Sequence, residues 1–555
     1  MPASEGSARG RAAVDGATGD GASEERASPA GAASARLGRA ETPAPSEGAA
    51  PRYLHPALLA SVFIIATSGL VYELITGTLA SYVLGDSVTQ FSLVIGLYLF
   101  AMGIGSYLSQ YVEGRLIERF VELELGVALV GGLSAPLLFK VYTSLGAFRG
   151  MLYGLVLLIG ILVGLEIPLL IRLLTFSLDL KRLVARVLTL DYIGALVASL
   201  LFPTLLLPRL GLQQTSLLFG ILNAAVALAS TFLFPIERAT VARLRALCVV
   251  VLAGLAVALG LVSRFIERSE ALYLGAPIVY AAQSPYQRVV ITQGPRTTRL
   301  FLNGNLQFSS DDEYRYHEVL VHPAVAALGR DPRRAIILGG GDGLAARELL
   351  RYPSVERVLL IDLDAAVTDA FRALPLATAL NGGALLDPRV AVRNEDAFKF
   401  LEESTESFDL AIVDFPDPGS YAVGKLYTDA FYHLLRQRLG ARGVAVIQAT
   451  SPQYARESFW SIVTTVEAAG FTAAPLHVYV PSFGEWGFVL AGGEGLAAPA
   501  SLRTDAARLR FLDGAAMPDL FRFPRDIGRV PAAVNRLNDQ KLVATYSREW
   551  AEWTR

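Results

Sequence analysis

The chain has 555 residues, enough for two or three domains, and it is too apolar for an ordinary soluble enzyme, with 53% hydrophobic residues and a mean hydropathy of +0.43. Its net charge of −2 gives no case for nucleic-acid binding. The single cysteine, Cys248, excludes a disulfide framework within the chain and disfavours a cysteine-based metal site.

The first 52 residues are rich in Ala, Gly, Ser, Glu and Arg, and no aromatic residue precedes Tyr53. Such a segment cannot bury enough apolar surface to fold. It also lacks the apolar core of a signal peptide. We therefore predict a disordered tail over 1–52.

Long apolar runs fill the next segment, 53–266, which we predict to be a transmembrane helical domain. Each run is near the twenty residues that a helix needs to cross a bilayer. The count is about seven spans: 57–79, 88–111, 122–143, 151–174, 187–207, 212–235 and 244–263.

Four ionisable residues lie in or near these runs: Glu73, Glu166, Arg172 and Asp191. Such residues inside a membrane are functional candidates. The alternative is an internal pair or a side chain that reaches the membrane surface. Glu73 is the most suggestive, since a buried carboxylate could hold a polyamine-like cation.

Basic residues concentrate in the connections 112–121, 172–186 and 236–245, which places the N-terminus in the cytoplasm by the positive-inside rule. With seven spans, everything after Arg264 would then lie outside. This outside placement conflicts with the cytoplasmic location that we expect for the second half from the reaction inferred below.

Residues 267–315 read as a small β-rich module. Two strand-like segments, 288–292 and 298–302, precede Asn303-Gly304, a strong hairpin signal. A helix capped by Ser310 or Asp311 is expected next. It carries hydrogen-bonding groups at Tyr316, His317 and His322, but the i, i+5 spacing of the histidines argues against a shared metal.

A buried strand at 334–338 runs into a glycine turn formed by Gly339, Gly340, Gly341 and Gly343, followed by a helix. Asp362 ends the next strand, about twenty residues on, where an acid meets ribose hydroxyls in nucleotide-binding folds. Asp342 inside the turn would repel a pyrophosphate, so NAD is disfavoured. A ligand with a cationic centre, such as an S-adenosyl sulfonium compound, suits it better.

Strands and helices alternate through 316–500, which predicts a doubly wound, Rossmann-like sheet of the methyltransferase type, followed by a C-terminal extension over 501–555. Ligands bind at the carboxyl ends of the strands in such sheets. Five polar residues fall there: Asp342, Asp362, Asp396, Asp414 and Gln448. The sharpest local signal is Asp414-Phe415-Pro416-Asp417-Pro418, where two carboxylates flank a turn stiffened by prolines.

These motifs resemble the polyamine aminopropyltransferases, the spermidine synthase family, over about 280–495. The apolar first half resembles the membrane-anchored bacterial branch. The matching residues are Tyr286-Gln287, Leu302-Asn303-Gly304 with Gln307, Asp312-Glu313-Tyr314, Tyr316-His317-Glu318, the glycine turn with Arg347-Glu348, Asp396-Ala397, Asp414 to Pro418, Phe431-Tyr432 and Pro481 to Phe488. Phe483 and Phe415-Pro416 depart from the family pattern, which bears on the identity of the acceptor amine.

The resemblance implies transfer of an aminopropyl group from decarboxylated S-adenosylmethionine to a diamine, commonly putrescine, giving spermidine and 5′-methylthioadenosine. Asp414 would be the catalytic base. By the same resemblance, the donor would be held by Gln287, Tyr316, His317, Asp342, Asp362, Asp396 and Ala397. The amine would be held by Asp417, Gln448 and Phe483.

Two alternatives remain open at this point. An S-adenosylmethionine methyltransferase explains the glycine turn and Asp362, but not the upstream hairpin or the Asp414/Asp417 pair. A membrane polyamine transporter or sensor would use the C-terminal domain only to bind ligand.

We expect no cofactor and no metal, because the sulfonium is already a good leaving group. The expected partners are the two small-molecule substrates, the lipid bilayer and a second copy of the chain, forming a homodimer through the soluble domain. We expect no nucleic acid. The chain should be a multi-pass protein of the cell membrane with a cytoplasmic catalytic domain.

Overall fold

The computed structural model describes residues 54–84, 87–142, 144–174, 180–234, 236–503 and 508–553. The predicted disordered tail over 1–52 lies outside the described residues.

The first part of the described chain is a bundle of long apolar helices. Within the described residues, six helical stretches are long and apolar enough to cross a membrane. The helices are α1 (Leu54–Leu84), α2 (Ser87–Leu108), α3 (Leu116–Val141), α4 (Leu145–Leu174), α5 (Leu180–Leu201), α6 (Leu207–Leu233) and α7 (Arg238–Leu274).

One of these stretches, Lys181–Leu233, holds two of the predicted spans. The backbone breaks at Gly211, where φ is 69° and ψ is −180°, a combination that favours glycine. Leu183 and Val226 share one apolar cluster with Val62. In a continuous helix they would be about 65 Å apart at 1.5 Å per residue. The chain therefore reverses direction around Gly211.

The ionisable residues singled out in the bundle have different surroundings. Arg172 donates a hydrogen bond to the carbonyl of Ser109 (2.9 Å). Glu166 is buried, and its carboxylate oxygens have no hydrogen-bond partner among the described residues. The side chain of Tyr98 interacts electrostatically with Glu73, Glu166 and Asp191. The three acids therefore belong to one polar region of the bundle.

A four-stranded antiparallel sheet in the order β1-β2-β3-β4 follows the bundle. The strands are β1 (Ile278–Gln283), β2 (Arg288–Gln293), β3 (Thr298–Leu302) and β4 (Asn305–Ser309). Asn303 and Gly304 form the two-residue turn between β3 and β4, both with positive φ, as the sequence predicted. Helix α7 continues to Leu274, so the sheet begins at Ile278, beyond the boundary placed at 267.

The second half is a three-layer α/β domain around a seven-stranded sheet. Its elements are α8 (Glu313–Leu328), β5 (Arg334–Gly339), α9 (Leu344–Leu349), β6 (Arg357–Asp362), α10 (Ala365–Ala373), α11 (Pro375–Leu380), β7 (Val390–Asn394), α12 (Ala397–Glu403), β8 (Phe408–Asp414), α13 (Tyr421–Gly424), α14 (Asp429–Arg438), β9 (Leu439–Gln448), α15 (Arg456–Ala468), β10 (Thr472–Val480) and β11 (Gly484–Gly492).

The strand order is β10-β11-β9-β8-β5-β6-β7, with β5 to β9 parallel and the last hairpin antiparallel. Alternate residues of β5 face opposite sides, so Ile337 lies in one apolar core and Ile336 in the other. The predicted doubly wound sheet is confirmed. Its parallel strands all end at one edge, where the polar residues collect.

The C-terminal extension packs onto this domain instead of extending away from it. Its helix α16 (Lys541–Trp553) brings the Glu549 carboxylate to the start of α15, where it accepts hydrogen bonds from the backbone amides of Glu457 and Ser458 (2.7 and 3.0 Å). Glu318 of α8 accepts three backbone hydrogen bonds from 510–512. These contacts fix the extension beside the strand ends.

Candidate active site

Three neighbouring parallel strands, β8, β5 and β6, deliver Asp414, the glycine turn and Asp362 to one edge of the sheet. Gly339 is in register with Asp414. The amide of Gly341 donates to Oδ2 of Asp362 (3.0 Å). The turn therefore lies between the two carboxylates.

The glycines of this turn are required by close approach. A Cβ on Gly339, where φ is 84°, would overlap the carbonyl oxygen of Asp414. A Cβ on Gly341 would lie 2.6 Å from Oδ2 of Asp362. Larger residues here would push apart the groups that the turn holds together.

Tyr316 reaches this edge from α8. Its hydroxyl donates to Oδ1 of Asp414 at 2.5 Å, and its ring packs against Phe488 and Phe483, with centroids at 5.0 and 6.5 Å. The cap of α8 is Asp312, not the predicted Ser310 or Asp311. Asp312 instead binds the backbone amide of Ser482 (2.6 Å), which fastens the β10–β11 turn containing Phe483 to α8.

His317 supplies positive charge beside the carboxylates. Burial lowers its pKa, but the hydrogen bond to Glu313 and the charge of Glu313 outweigh this and raise the pKa to about 9. Arg347 donates to both carboxylate oxygens of Glu313 (3.0 Å each). His317 is therefore cationic near neutral pH, and it interacts electrostatically with Asp342 and Asp414.

Burial raises the pKa of three carboxyl groups at this edge: to about 6 for Asp414, to about 6 for Asp362, and upward for Asp342. Asp342 and Asp414 also repel each other, as do Asp342 and Asp362. Oδ1 of Asp342 accepts the backbone amide of Leu344 (2.9 Å). Arg347 also acts on Asp342, but its charge is shared with Glu313, so His317 and Arg347 do not balance these acids and the site favours a positively charged ligand.

Asp417 follows Asp414 by three residues and is held by three side chains. Gln448 and Thr450 donate to it at 2.8 and 3.1 Å, and the hydroxyl of Tyr546 donates to Oδ2 at 2.7 Å. Burial raises the pKa of Asp417, although these hydrogen bonds oppose the shift. Tyr546 belongs to α16, in the extension to which the sequence assigned no role.

Asp396 caps α12, which begins at Ala397, by accepting the amide of Phe398 (2.8 Å). Its other oxygen pairs with Nζ of Lys425 at 2.5 Å. Lys425 begins the helical turn Lys425–Tyr427, which directly follows α13. Its side chain is therefore fastened across the position predicted to receive adenine.

Gln287 lies in the β1–β2 turn. Ser284 of that turn accepts the Gln287 amide (3.0 Å) and donates to Asp364 (2.7 Å), two residues beyond Asp362. This link brings the small sheet to the same edge as the other predicted residues. His322 does not join them, because it is bonded to Tyr352 and Glu348 in the core.

Sequence reasoning missed three residues: Tyr546, Lys425 and Thr450. Neither Tyr546 nor Lys425 lies at a strand end, and neither belongs to a recognised motif. Thr450 follows Gln448 by two residues, and its proximity to a strand end was the only signal available.

Taken together, the edge holds carboxylates for cationic groups, an acid at Asp362 suited to hydroxyls, and a half-buried carboxylate at Asp414 able to accept a proton. The arrangement suits a cationic ligand.

Comparisons with known proteins agree with this chemistry. Residues 313–498 match the family model described as "Spermine/spermidine synthase domain". The polyamine aminopropyltransferase of Leptospira interrogans is 49% identical over 90% of this chain and 99% of its own length. Polyamine aminopropyltransferase 2 of Ralstonia nicotianae is 48% identical over 89% of this chain and 98% of its own length.

Among solved structures, the chain is similar to the spermidine synthase of Thermotoga maritima, with 24% identity and a TM-score of 0.41. The similarity covers 48% of this chain and 87% of that one.

Proposed function

Because the chain belongs to the spermine/spermidine synthase family of polyamine aminopropyltransferases, we propose that it transfers the aminopropyl group of decarboxylated S-adenosylmethionine to a diamine, with putrescine as the acceptor. The products are then spermidine and 5′-methylthioadenosine. The chain is an enzyme of this family. The identity of its two substrates is our proposal.

The observation that carries the proposal is the excess of half-buried carboxylates at one sheet edge. Asp342, Asp362 and Asp414 all have raised pKa values, and the cations that act on them are His317 and, at Asp342, also Arg347, which is already paired with Glu313. A sulfonium donor and an amine acceptor would supply the missing positive charge. A pyrophosphate-bearing cofactor would add to the repulsion.

For the donor, we assign the terminal ammonium to Asp342 and the ribose hydroxyls to Asp362. The adenine amino group is assigned to Asp396, next to Ala397. Gln287, Tyr316 and His317 line the aminopropyl end in this assignment. The free lone pairs of Asp342 support it, since only Oδ1 is used by the backbone.

For the acceptor, we assign the amine to Asp417, Gln448 and Phe483. A primary amine has a pKa of about 10.4, so holding it neutral at pH 7 costs roughly 4–5 kcal/mol. Asp414 accepts the proton as the nitrogen attacks the carbon next to the sulfonium. The new C–N bond forms as the C–S bond breaks, and the electron pair leaves on sulfur.

The reaction is tested with the purified full-length protein and labelled decarboxylated donor. We expect 5′-methylthioadenosine to form only when a diamine is present, because the amine is the nucleophile. Transfer of a methyl group from ordinary S-adenosylmethionine, without an aminopropylated product, would establish the methyltransferase alternative instead.

Tyr546→Phe should raise the KM for the diamine about five- to tenfold and leave donor affinity unchanged. The change removes a hydrogen bond to a carboxylate, worth on the order of 1–1.5 kcal/mol, from the residue that places the amine. Steady-state kinetics with the amine varied, and donor binding by calorimetry, measure the two effects.

A matched control is Tyr352→Phe, which also removes a buried tyrosine hydroxyl, but from the His322 network away from the site. It should lower the melting temperature without changing the KM for the amine. Equal kinetic effects from both variants would show that Tyr546 acts only through stability.

The membrane assignment belongs to the same proposal. We propose that the six apolar stretches, with the reversal at Gly211, cross the cell membrane seven times. We also propose that the catalytic domain is cytoplasmic, although the positive-inside rule with seven spans would place it outside. We further propose that the chain forms a homodimer through the soluble domain. The proposed reaction needs no cofactor and no metal.

A further inference from the structure

Two carboxylates inside the helical bundle lack any neutralising partner among the residues described. Glu124 of α3 and Glu166 of α4 are 0% and 1% exposed. None of their four oxygens accepts a hydrogen bond there. The two side chains interact electrostatically with each other. Burying unpaired charges is costly, so a bundle that keeps them requires protons or a cation.

A neutral polar group on a third helix faces the same pair. The hydroxyl of Tyr72, on α1, is fully buried and has no hydrogen-bond partner within the described chain. It interacts electrostatically with both Glu124 and Glu166. A Cβ at Gly131 of α3 would lie 2.5 Å from the Tyr72 ring, so this helix contact depends on glycine.

Helix α6 brings a fourth polar group to the same level. Ser216 donates to the carbonyl of Gly132 (3.0 Å), and a Cβ on Gly220 would lie 2.7 Å from the carbonyl oxygen of Ala128. Helices α3 and α6 are therefore antiparallel. One turn beyond Gly220, Asn223 of α6 lies at the level of Glu124 of α3. Both polar atoms of the Asn223 side chain are buried without a partner in the described structure.

We propose that Glu124, Glu166, Tyr72 and Asn223 form a second amine site, which binds the ammonium groups of an alkyl diamine inside the bundle. The choice of an alkylamine rests on the proposed function of the soluble domain. This bundle site lies apart from the transferase site and has no part in the transfer reaction.

The acceptor oxygens of this site match an alkylammonium ion. An ammonium group offers three N–H donors, and the site offers four carboxylate oxygens, a phenol oxygen and an amide oxygen. Two carboxylates match the two charges of a diamine. In the described parts of the chain, no three His, Cys, Asp or Glu residues are grouped to hold a metal ion.

The position of the bundle site connects it to the enzyme. Tyr82, near the end of α1, has its hydroxyl 3.8 Å from where a Cβ of Gly304 in the β3–β4 turn would lie. Tyr72 precedes Tyr82 by ten residues, or about 15 Å along the helix. The bundle site is thus roughly three helical turns from the end of the bundle that meets the soluble domain.

The test counts diamine sites on the full chain in lipid nanodiscs, using labelled 1,4-diaminobutane and no aminopropyl donor. Equilibrium dialysis should give two sites per chain for the natural protein and one for Glu124→Gln/Glu166→Gln, because glutamine keeps the shape but removes the charge. Tyr72→Phe should keep both sites and weaken one about fivefold. Unchanged transferase turnover shows that each variant is folded.

The matched control is Glu122→Gln, two residues away on α3, where the carboxylate pairs with Arg119 at the surface. It should keep both sites. Retention of every diamine site by the double glutamine variant would overturn the proposal, since the carboxylates would then only carry protons. A natural protein with one site, lost in the double variant, would uphold the bundle site and contradict amine binding by the soluble domain.

Discussion

Asp414→Asn should lower turnover by about 10²–10⁴ while donor affinity changes little. The carboxylate lies half-buried at the end of β8, and its raised pKa of about 6 leaves it ionised but basic near neutral pH. Asparagine keeps the shape and can still accept the hydrogen bond from Tyr316, but it cannot take a proton from the amine. Single-turnover kinetics with saturating donor and diamine measure the loss.

The pH profile adds a second readout. At saturating donor, where protonation of Asp362 no longer acts through donor binding, kcat/KM for the diamine should fall about tenfold per unit below pH 6, because protonation of Asp414 removes the base, and should level off above it. The residual activity of Asp414→Asn should lack this break. Asp409→Asn, at the other end of β8, is the control and should keep it. A break that persists in Asp414→Asn would mean that another group accepts the proton.

Asp342→Asn should weaken binding of the decarboxylated donor about tenfold or more. A charge-assisted hydrogen bond from the donor's ammonium to this carboxylate is worth roughly 1.5–3 kcal/mol. The same negative charge should repel the carboxylate that ordinary S-adenosylmethionine still carries. The variant should therefore also lose its discrimination against the carboxylated compound.

Calorimetric titration of both compounds into both proteins decides the assignment. Asparagine can still accept the backbone hydrogen bond of Leu344, so the turn should keep its conformation. Asp331→Asn, an exposed position, serves as the control. Unchanged discrimination in Asp342→Asn would show that this carboxylate does not face the donor's terminal group.

Much of the fold follows from periodicity and turn chemistry. The strand at 408–414 and the turn at Asn303-Gly304 were predictable because buried parallel strands are short apolar runs and type I′ turns require positive φ. The hairpin β10–β11 was not predicted as a pair. Its turn holds Phe483 and was interpreted only as a substrate segment.

Site residues could be predicted from the sequence only where a local rule fixes their position in the fold. Acids at the ends of parallel strands must meet at one edge, so Asp342, Asp362 and Asp414 could be grouped from the sequence. Tyr546 could not be, because its contact with Asp417 spans 129 residues and depends on how the extension folds back. Glu124 was also missed, since one carboxylate in a long apolar helix does not show which others it will meet.

If the donor's adenine amino group binds Asp396, as proposed, it competes with Lys425 for this carboxylate. Both side chains are about one-third exposed, so the pair contributes on the order of 1 kcal/mol at most. That energy favours the paired Lys425 side chain over a released one by at most about fivefold.

If the adenine amino group binds where Lys425 now lies, only molecules with a released Lys425 side chain bind the donor fully, at least about one in six. The measured donor affinity is then weaker than the intrinsic affinity by that population factor. Salt weakens an exposed ion pair, so higher ionic strength should enlarge the released fraction and offset part of its own weakening of donor binding.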